Sequence, residues 1–374
     1  METLTIKAPG RINIIGEHTD YNLGYVLPTA IDKHLRFTFE TNGTPSNCKV
    51  ESKGYGPAHE FDFTTMERSS NNWHNYVQGV ISEILKRTDR LQGFNCTIES
   101  TLPVGSGVSS SAALECGLSF GLNELFGLEL SKIEMVKLCQ QADHNYVGIM
   151  SGIMDQFASM MSKEGQVILL DCRSLDYKYI PLDLGEYTFL LLNSGVSHQL
   201  ANSEYNTRQQ ECQGAVKIIR EKYPEIASLR DVTKGMLPYL EERTQNSKLE
   251  TLYRRARFVV EENIRVLSAV KALQTGDLKT LGALMYETHS GLRDDYEVSC
   301  KELDFLVDFT KSYDDILGAR IMGGGFGGCS INLIRSDSIT GFTEKVSRAY
   351  KEELRIELEA FEAQPSSGVS TISN

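Results

Sequence analysis

Apolar and polar residues alternate in short stretches near the start of the chain and settle into a three-to-four spacing further on. Residues 4–8, 11–16 and 34–40 read as strands, as does 94–100, where every second position is apolar. Residues 74–87 read as a helix, and helices are predicted over 111–126 and 132–146, with a third starting near residue 152. Strands follow at 166–171, 177–181 and 188–193. The middle is helical, over 203–221, 250–273 and 278–290, with many charges between the apolar positions. Two strands, 318–322 and 330–334, flank a glycine run at 323–328, and a helix over 340–353 follows. Strands and helices mix without regular βαβ alternation, which points to an α+β fold. We expect two domains, 1–180 and 181–374, with a boundary near residues 170–190 that no Pro/Gly linker marks.

Composition narrows the function. Of 374 residues, 41% are hydrophobic and 24% charged, the mixture of an ordinary globular protein. Lys+Arg number 38 and Asp+Glu 50, a net charge of −12 that argues against a nucleic-acid binder, which shows a basic face. It leaves room for a nucleotide pocket, which needs only a few local donors. No apolar run approaches the ~20 residues of a membrane span. The first residues lack an apolar signal core, so the expected location is the cytoplasm. The eight cysteines lie far apart with no C-x-x-C pair and are expected to be reduced. The histidines show no paired metal spacing, and a protein-only zinc site is not expected.

Four segments could carry chemistry. In the first, PGRINIIGEHTDYN (9–22), an apolar strand ends at Gly16 and Glu17, His18, Asp20 and Asn22 crowd the turn, with Arg11 just upstream. Carboxylates there suit a polyhydroxylated ligand, because they accept from hydroxyls in fixed directions; the alternative is a solvated turn capped by Asp20 or Asn22. In the second, LPVGSGVSSSAAL (102–114), a Gly-rich turn runs into serines that open an Ala-rich helix. Free N–H groups and the positive dipole end make such a terminus a phosphate cradle, although a plain serine cap would look similar. No G-x-x-x-x-G-K-[ST] occurs, so it is not a Walker loop. In the third, GIMDQF (152–157), Asp155 stands among small and apolar residues, where the simplest reading is a helix N-terminal carboxylate. The fourth, GARIMGGGFGGC (318–329), holds a literal G-x-G-x-x-G, but a strand and not a helix follows it. We read it as a glycine loop between strands that folds over a ligand.

Taken in order, these segments, with WHNYVQGV, SGIMDQF and SEYNTR between them, resemble the GHMP small-molecule kinases, and specifically their galactose-phosphorylating branch. The resemblance runs from Lys7 to about residue 369. It implies two domains, an N-terminal one like ribosomal protein S5 domain 2 and a ferredoxin-like C-terminal one, with the active site between them. It implies ATP-dependent phosphorylation of the anomeric hydroxyl of α-D-galactose, the first step of the Leloir pathway, with ATP and Mg²⁺ as cofactors and galactose as the small-molecule partner. By the same resemblance, Asp155 is the general base and Arg11 stabilises charge near the transferring phosphoryl group. Glu17, His18, Asp20, the backbone of Gly152, and Tyr205 hold the sugar. Gly105, Ser106, Gly107, Val108, Ser109, Ser110 and Ser111 cradle the phosphates. Ser111 and Asp143 face Mg²⁺, although the family commonly has Glu where Asp143 stands, one methylene longer. Trp73 lies near the adenine pocket or is ordinary core. Thr19 in EHTDY favours galactose over N-acetylgalactosamine, and the intact 109–113 stretch favours an enzyme over a silent sugar sensor.

Overall fold

The structure is a computed structural model, and it describes residues 3–103, 105–197, 201–245 and 249–372. The first strand, Leu4–Asn13, alternates inward at Ile6 and Ala8 and continues into the buried Ile12, Ile14 and Ile15. It is one strand and not the two expected. The gap in the apolar pattern at Pro9–Gly10 is a β-bulge, where the register against Pro28–Thr41 shifts between Pro9 and Arg11. A bulge re-aims the side chain that follows it. Here that side chain is Arg11, whose backbone N–H leaves the sheet to donate to Val108 O at 3.0 Å.

The strand Pro28–Thr41 is twice the length expected and sits centrally in a seven-stranded sheet. The order is Ser370–Thr371, Leu4–Asn13, Pro28–Thr41, Phe94–Ser100, Asn47–Ser52, His59–Asp62, with Pro365–Ser366 also paired to Pro28–Thr41. The only parallel pair in this sheet, among the described residues, is Asn47–Ser52 with Phe94–Ser100. Helices Asn72–Leu85, Ser110–Phe126, Lys132–Ala142 and Met154–Met161 pack together, and Ser110–Phe126 and Met154–Met161 lie directly on the sheet. Ser110–Phe126 is buried along most of its length, which explains its Ala, Gly and Cys content. Lys132–Ala142 opens with a capping box, in which Glu134 N–H donates to Ser131 Oγ and Ser131 N–H to Glu134 Oε2. It does not run unbroken to residue 146. After Ala142 it loosens into a π-turn, Asp143–Val147, a deviation that recurs at functional sites.

A small sheet of Tyr25–Val26, Gln166–Asp171 and Tyr177–Pro181 follows. The second large sheet is antiparallel, in the order Ile316–Ile321, Gly327–Arg335, Tyr187–Ser197, Glu359–Ala363. Leu278–Asp294 and Lys301–Thr310 pack on it. The long helix Glu250–Thr275 joins Ala201–Ile219 and Leu237–Thr244 around a separate apolar cluster centred on Phe258, Val259 and Tyr296. Sheet membership changes between Pro181 and Tyr187, but the chain end returns to the first sheet at Pro365–Thr371. All eight cysteines are free, and seven of them are buried. No described helix is long and apolar enough to cross a membrane.

Candidate active site

The bulged first strand, the start of Ser110–Phe126, the π-turn, the start of Met154–Met161 and the glycine turn 323–326 converge on one cavity of about 350 Å³. Arg11, Glu17, His18, Asp20, Gly105–Ser111 as a run, Asp143, Gly152, Asp155 and Tyr205 all line it. Fifteen of the sixteen residues singled out in the sequence therefore meet here. The sixteenth, Trp73, is absent from the described lining. It lies on helix Asn72–Leu85 with its ring edge-on to His74 at 4.4 Å, which fits the core-packing reading. Val104, in the middle of the Gly/Ser loop, lies outside the described residues.

Arg11 and Asp155, 144 positions apart, form a two-pronged ion pair. Arg11 Nε donates to Oδ1 at 2.7 Å and Nη2 to Oδ2 at 2.8 Å. Nη1 donates to Gly107 O at 2.7 Å, which ties the pair to the phosphate loop. Burial works against the Arg11 charge, but Asp155, Glu17 and Asp20 together outweigh it and hold the guanidinium above its usual range. Arg11 is 3% exposed, whereas the Asp155 side chain keeps 31% of its surface open. Asp155 sits in the first turn of Met154–Met161, where the helix dipole favours a carboxylate. Ser109, read in the sequence as phosphate cradle or cap, does something else with its hydroxyl. It donates to Asp155 Oδ2 and caps nothing. Its backbone is left-handed, φ +59°, a conformation that costs a non-glycine residue energy and points to a tight local demand. The first-turn N–H groups of Ser110–Phe126 are thereby left without a side-chain cap, open to an anion.

The acidic turn is deeply buried. Glu17 Oε1 accepts from Arg320 Nη1 at 3.0 Å and from Gly323 N–H at 2.9 Å, binding this turn to the second sheet. Arg320, fully buried, also donates to Asn13 O, to Ile14 O at 2.9 Å and to Ile321 O at 2.5 Å. Asp20 packs against Gly152, where an added Cβ would fall 1.8 Å from its carboxylate, so only glycine fits. Burial, with the neighbouring Asp155 charge, raises Asp20 from 3.8 to about 7. Burial and the Arg208 charge lower His18 to about 3, so its ring is neutral. Thr19 does not reach the cavity lining; its hydroxyl is used inside the turn, bonded to Gly16 O and Tyr25 O at 2.8 and 2.6 Å. In the glycine loop, Gly325 has φ +76° and its backbone runs against Val298 O, which a Cβ would meet at 2.2 Å. The run joins the antiparallel strands Ile316–Ile321 and Gly327–Arg335, and its glycines are needed both for that approach and for the positive φ of Gly323, Gly325, Gly327 and Gly328.

Sequence reasoning missed a second polar layer behind the serines. Asp143 accepts from Ser151 Oγ at 2.8 Å and Gln156 Nε2 at 2.9 Å, and Gln156 Nε2 also reaches Glu115 Oε2 at 3.1 Å. Burial pushes the Glu115 carboxyl well above its usual range, with the Asp143 charge adding to it, and raises Asp143 as well. Glu115 stands one helical turn after Ser111, a spacing visible in the sequence. Among the described residues Glu115 Oε1 and Gln156 Oε1 are buried oxygens with no well-formed hydrogen bond, although the Glu115 and Asp143 carboxyls lie close enough to interact. Ser111 and Asp143 both line the cavity, and a hydroxyl with a carboxylate suits a hard cation such as Mg²⁺, which takes one or two carboxylates and completes its shell with phosphate and water. Among the described residues no group of three or more His, Cys, Asp or Glu could hold a metal by itself, so such an ion would take most of its ligands from phosphate and water.

Comparison with known proteins matches this geometry. The profile described as "GHMP kinases N terminal domain" covers residues 75–163, "Galactokinase galactose-binding signature" covers 2–40, and "GHMP kinases C terminal" covers 269–352. The galactokinase of Thermotoga neapolitana is 42% identical over 369 residues, 99% of this chain and 100% of the relative. That of Roseiflexus sp. is 39% identical over 92% of this chain and 87% of the relative. The crystal structure of Lactococcus lactis galactokinase complexed with galactose superimposes with a TM-score of 0.94 at 35% identity, covering 99% of this chain and 95% of that one. The mevalonate kinase of L. major, at 21% identity and a TM-score of 0.64, shares the fold. The two-domain α+β architecture, the matching family models and the full-length relatives agree: this chain belongs to the GHMP kinase family, within the branch formed by the galactokinases.

Proposed function

We propose that this chain transfers the γ-phosphoryl group of ATP to the anomeric hydroxyl of α-D-galactose, giving galactose 1-phosphate and ADP. One observation carries the mechanism: a partly open carboxylate, Asp155, held by a buried arginine beside uncapped helix N–H groups. Asp155 accepts the O1 proton of the sugar as O1 forms its bond to the γ-phosphorus and the bond to the ADP oxygen breaks. Arg11 and the backbone N–H groups of the 105–111 loop stabilise the charge that develops on the phosphoryl oxygens. Ser109 and Arg11 Nη2 occupy Oδ2 and Arg11 Nε takes one side of Oδ1, which leaves a single Oδ1 lone pair to the sugar. Asp20, His18, Tyr205 and the Gly152 backbone supply the hydroxyl contacts, and Glu17 holds their turn against Arg320. Ser111 and Asp143 hold Mg²⁺, which when bound neutralises phosphate charge. The change of sheet near residue 180 supports placing the division between the lobes there. The experiment is a coupled ADP-release assay with galactose and Mg-ATP, followed by product identification.

Two further outcomes are expected. Asp20 is protonated below about pH 7 in the ligand-free protein and ionised above it. An ionised carboxylate accepts two hydroxyl bonds, so kcat/KM for galactose rises with pH through about 7, and Asp20→Asn removes that limb. Between 3.8 and about 7 the unfolded carboxyl has lost its proton while the folded one keeps it, so this group makes stability fall as pH rises across that window. A urea series at several pH values, wild type against Asp20→Asn, checks the sign. Separately, Ser111→Ala is expected to raise the Mg²⁺ concentration for half-maximal rate by about tenfold or more, the scale on which groups around a metal act. Mn²⁺ binding to the enzyme–nucleotide complex, followed by electron paramagnetic resonance, reads the same change without turnover.

A further inference from the structure

Behind the sugar turn runs a line of neutral polar groups, buried apart from the half-buried Tyr21, of which the mechanism above uses only His18. His18 Nδ1 lies 2.9 Å from Tyr21 Oη, Tyr21 Oη lies 2.8 Å from Tyr296 Oη, and Tyr296 Oη lies 3.0 Å from Cys212 Sγ. The line joins three separate segments: the turn after the first strand, helix Ala201–Ile219, and the stretch that follows Leu278–Asp294. Arg208 clamps that stretch, donating from Nε to Tyr296 O at 2.8 Å and from Nη2 to Glu297 O at 2.9 Å. The other ring nitrogen, His18 Nε2, is buried on a residue that lines the cavity and makes no well-formed hydrogen bond among the described residues, although the Gly324 carbonyl lies near the ring. His18 also has a left-handed backbone, φ +60°, strain that a mere filler would not need.

Each hydroxyl in such a line can point either way, and the direction decides which imidazole nitrogen carries the proton. Two contacts bias the direction. Asn22 Nδ2 donates to Cys212 Sγ at 3.6 Å and to His18 O at 2.9 Å. The sulfur already accepts there, which leaves its thiol hydrogen available to Tyr296 Oη, and the Gly324 carbonyl beside the imidazole, which can only accept, favours the arrangement that leaves a donor on the ring. Tyr296 then donates to Tyr21, and Tyr21 donates to Nδ1. We infer that Tyr21, Tyr296 and Cys212 are positioning residues that hold His18 as its Nε2–H tautomer, so that the imidazole offers a donor to an acceptor oxygen of the sugar. The site then has complementary polarity: the Asp20 and Asp155 carboxylates take hydroxyl protons, and His18 supplies one. Burial keeps every member uncharged near neutral pH. It lowers His18 to about 3, pushes Cys212 up to about 11 and raises both tyrosines further.

This inference deepens the proposed sugar site and rests on it, but its test does not need turnover. Long-range ¹H–¹⁵N correlation on the ligand-free protein labelled at histidine nitrogens distinguishes the two tautomers, with His18→Gln assigning the signal. The expected result is a protonated Nε2 and an unprotonated Nδ1 in the wild type. Tyr21→Phe should shift the ring towards the other tautomer and weaken galactose binding by about three- to tenfold, with kcat changed less than KM. Tyr296→Phe should do the same more weakly. A wild-type ring protonated at Nδ1 would overturn the inference, whether or not the variants fold; so would an unchanged tautomer in both tyrosine variants. A protein with the Nε2–H ring that fails to bind galactose contradicts the functional reading and leaves the tautomer assignment standing.

Discussion

Asp155→Asn is expected to lower kcat by about 10²–10⁴-fold, the usual contribution of a positioned general base. The amide keeps the shape and can accept one bond from Arg11, yet it cannot take the sugar proton. The buried Arg11 guanidinium then loses its counter-charge, and the variant should also unfold at lower urea. The Asp155 side chain is about a third open to solvent, so that loss is smaller than for a fully buried pair. Galactose affinity, measured by calorimetry, should stay within a few-fold of wild type, because Asp20, His18 and Tyr205 are untouched. A kcat near that of wild type would remove Asp155 from the proton-transfer step.

The second large effect is on stability. Arg320 is fully buried, and its donors hold Glu17 and three backbone carbonyls, Asn13, Ile14 and Ile321. Arg320→Met fills similar volume but leaves Glu17 charged in a dry site with those carbonyls unpaired. Breaking a buried pair from one side costs about 3–5 kcal/mol. The denaturation midpoint should fall accordingly. Adding Glu17→Gln to Arg320→Met should recover part of the loss, since the amide removes the uncompensated charge. If the double variant were less stable than Arg320→Met by the full cost of Glu17→Gln alone, the two residues would be uncoupled and the account of this pair wrong.

The Gly/Ser loop and the polar turn after the first strand were legible from local chemistry, whereas Asp143, Gly152, Asp155 and Tyr205 entered the site only through the family resemblance. Glycines next to serines at a helix start, and a polar cluster at a strand end, each have a local physical reason. What was hidden is long-range or conformational. Pro9–Gly10 interrupts the apolar alternation and looks like a gap between two strands, because a bulge has no composition of its own. Ser109 looks like a cap; only its left-handed backbone and the position of Asp155, 46 residues away, send its hydroxyl elsewhere. Glu17 looks like a ligand of the sugar, but one of its oxygens is bound by Arg320 and Gly323, some three hundred residues on. The π-turn at Asp143 follows a good helical pattern and breaks it where tertiary contacts with Ser151 and Gln156 take over. Helix propensity does not register such contacts.

The central claim is tested most directly by ADP release from Mg-ATP with galactose, N-acetylgalactosamine, glucose, mevalonate or no acceptor, with the product examined by ³¹P NMR. The account predicts strong turnover with galactose and a single sugar 1-phosphate. Turnover only with another acceptor, or saturable galactose binding with no ADP released, would contradict it.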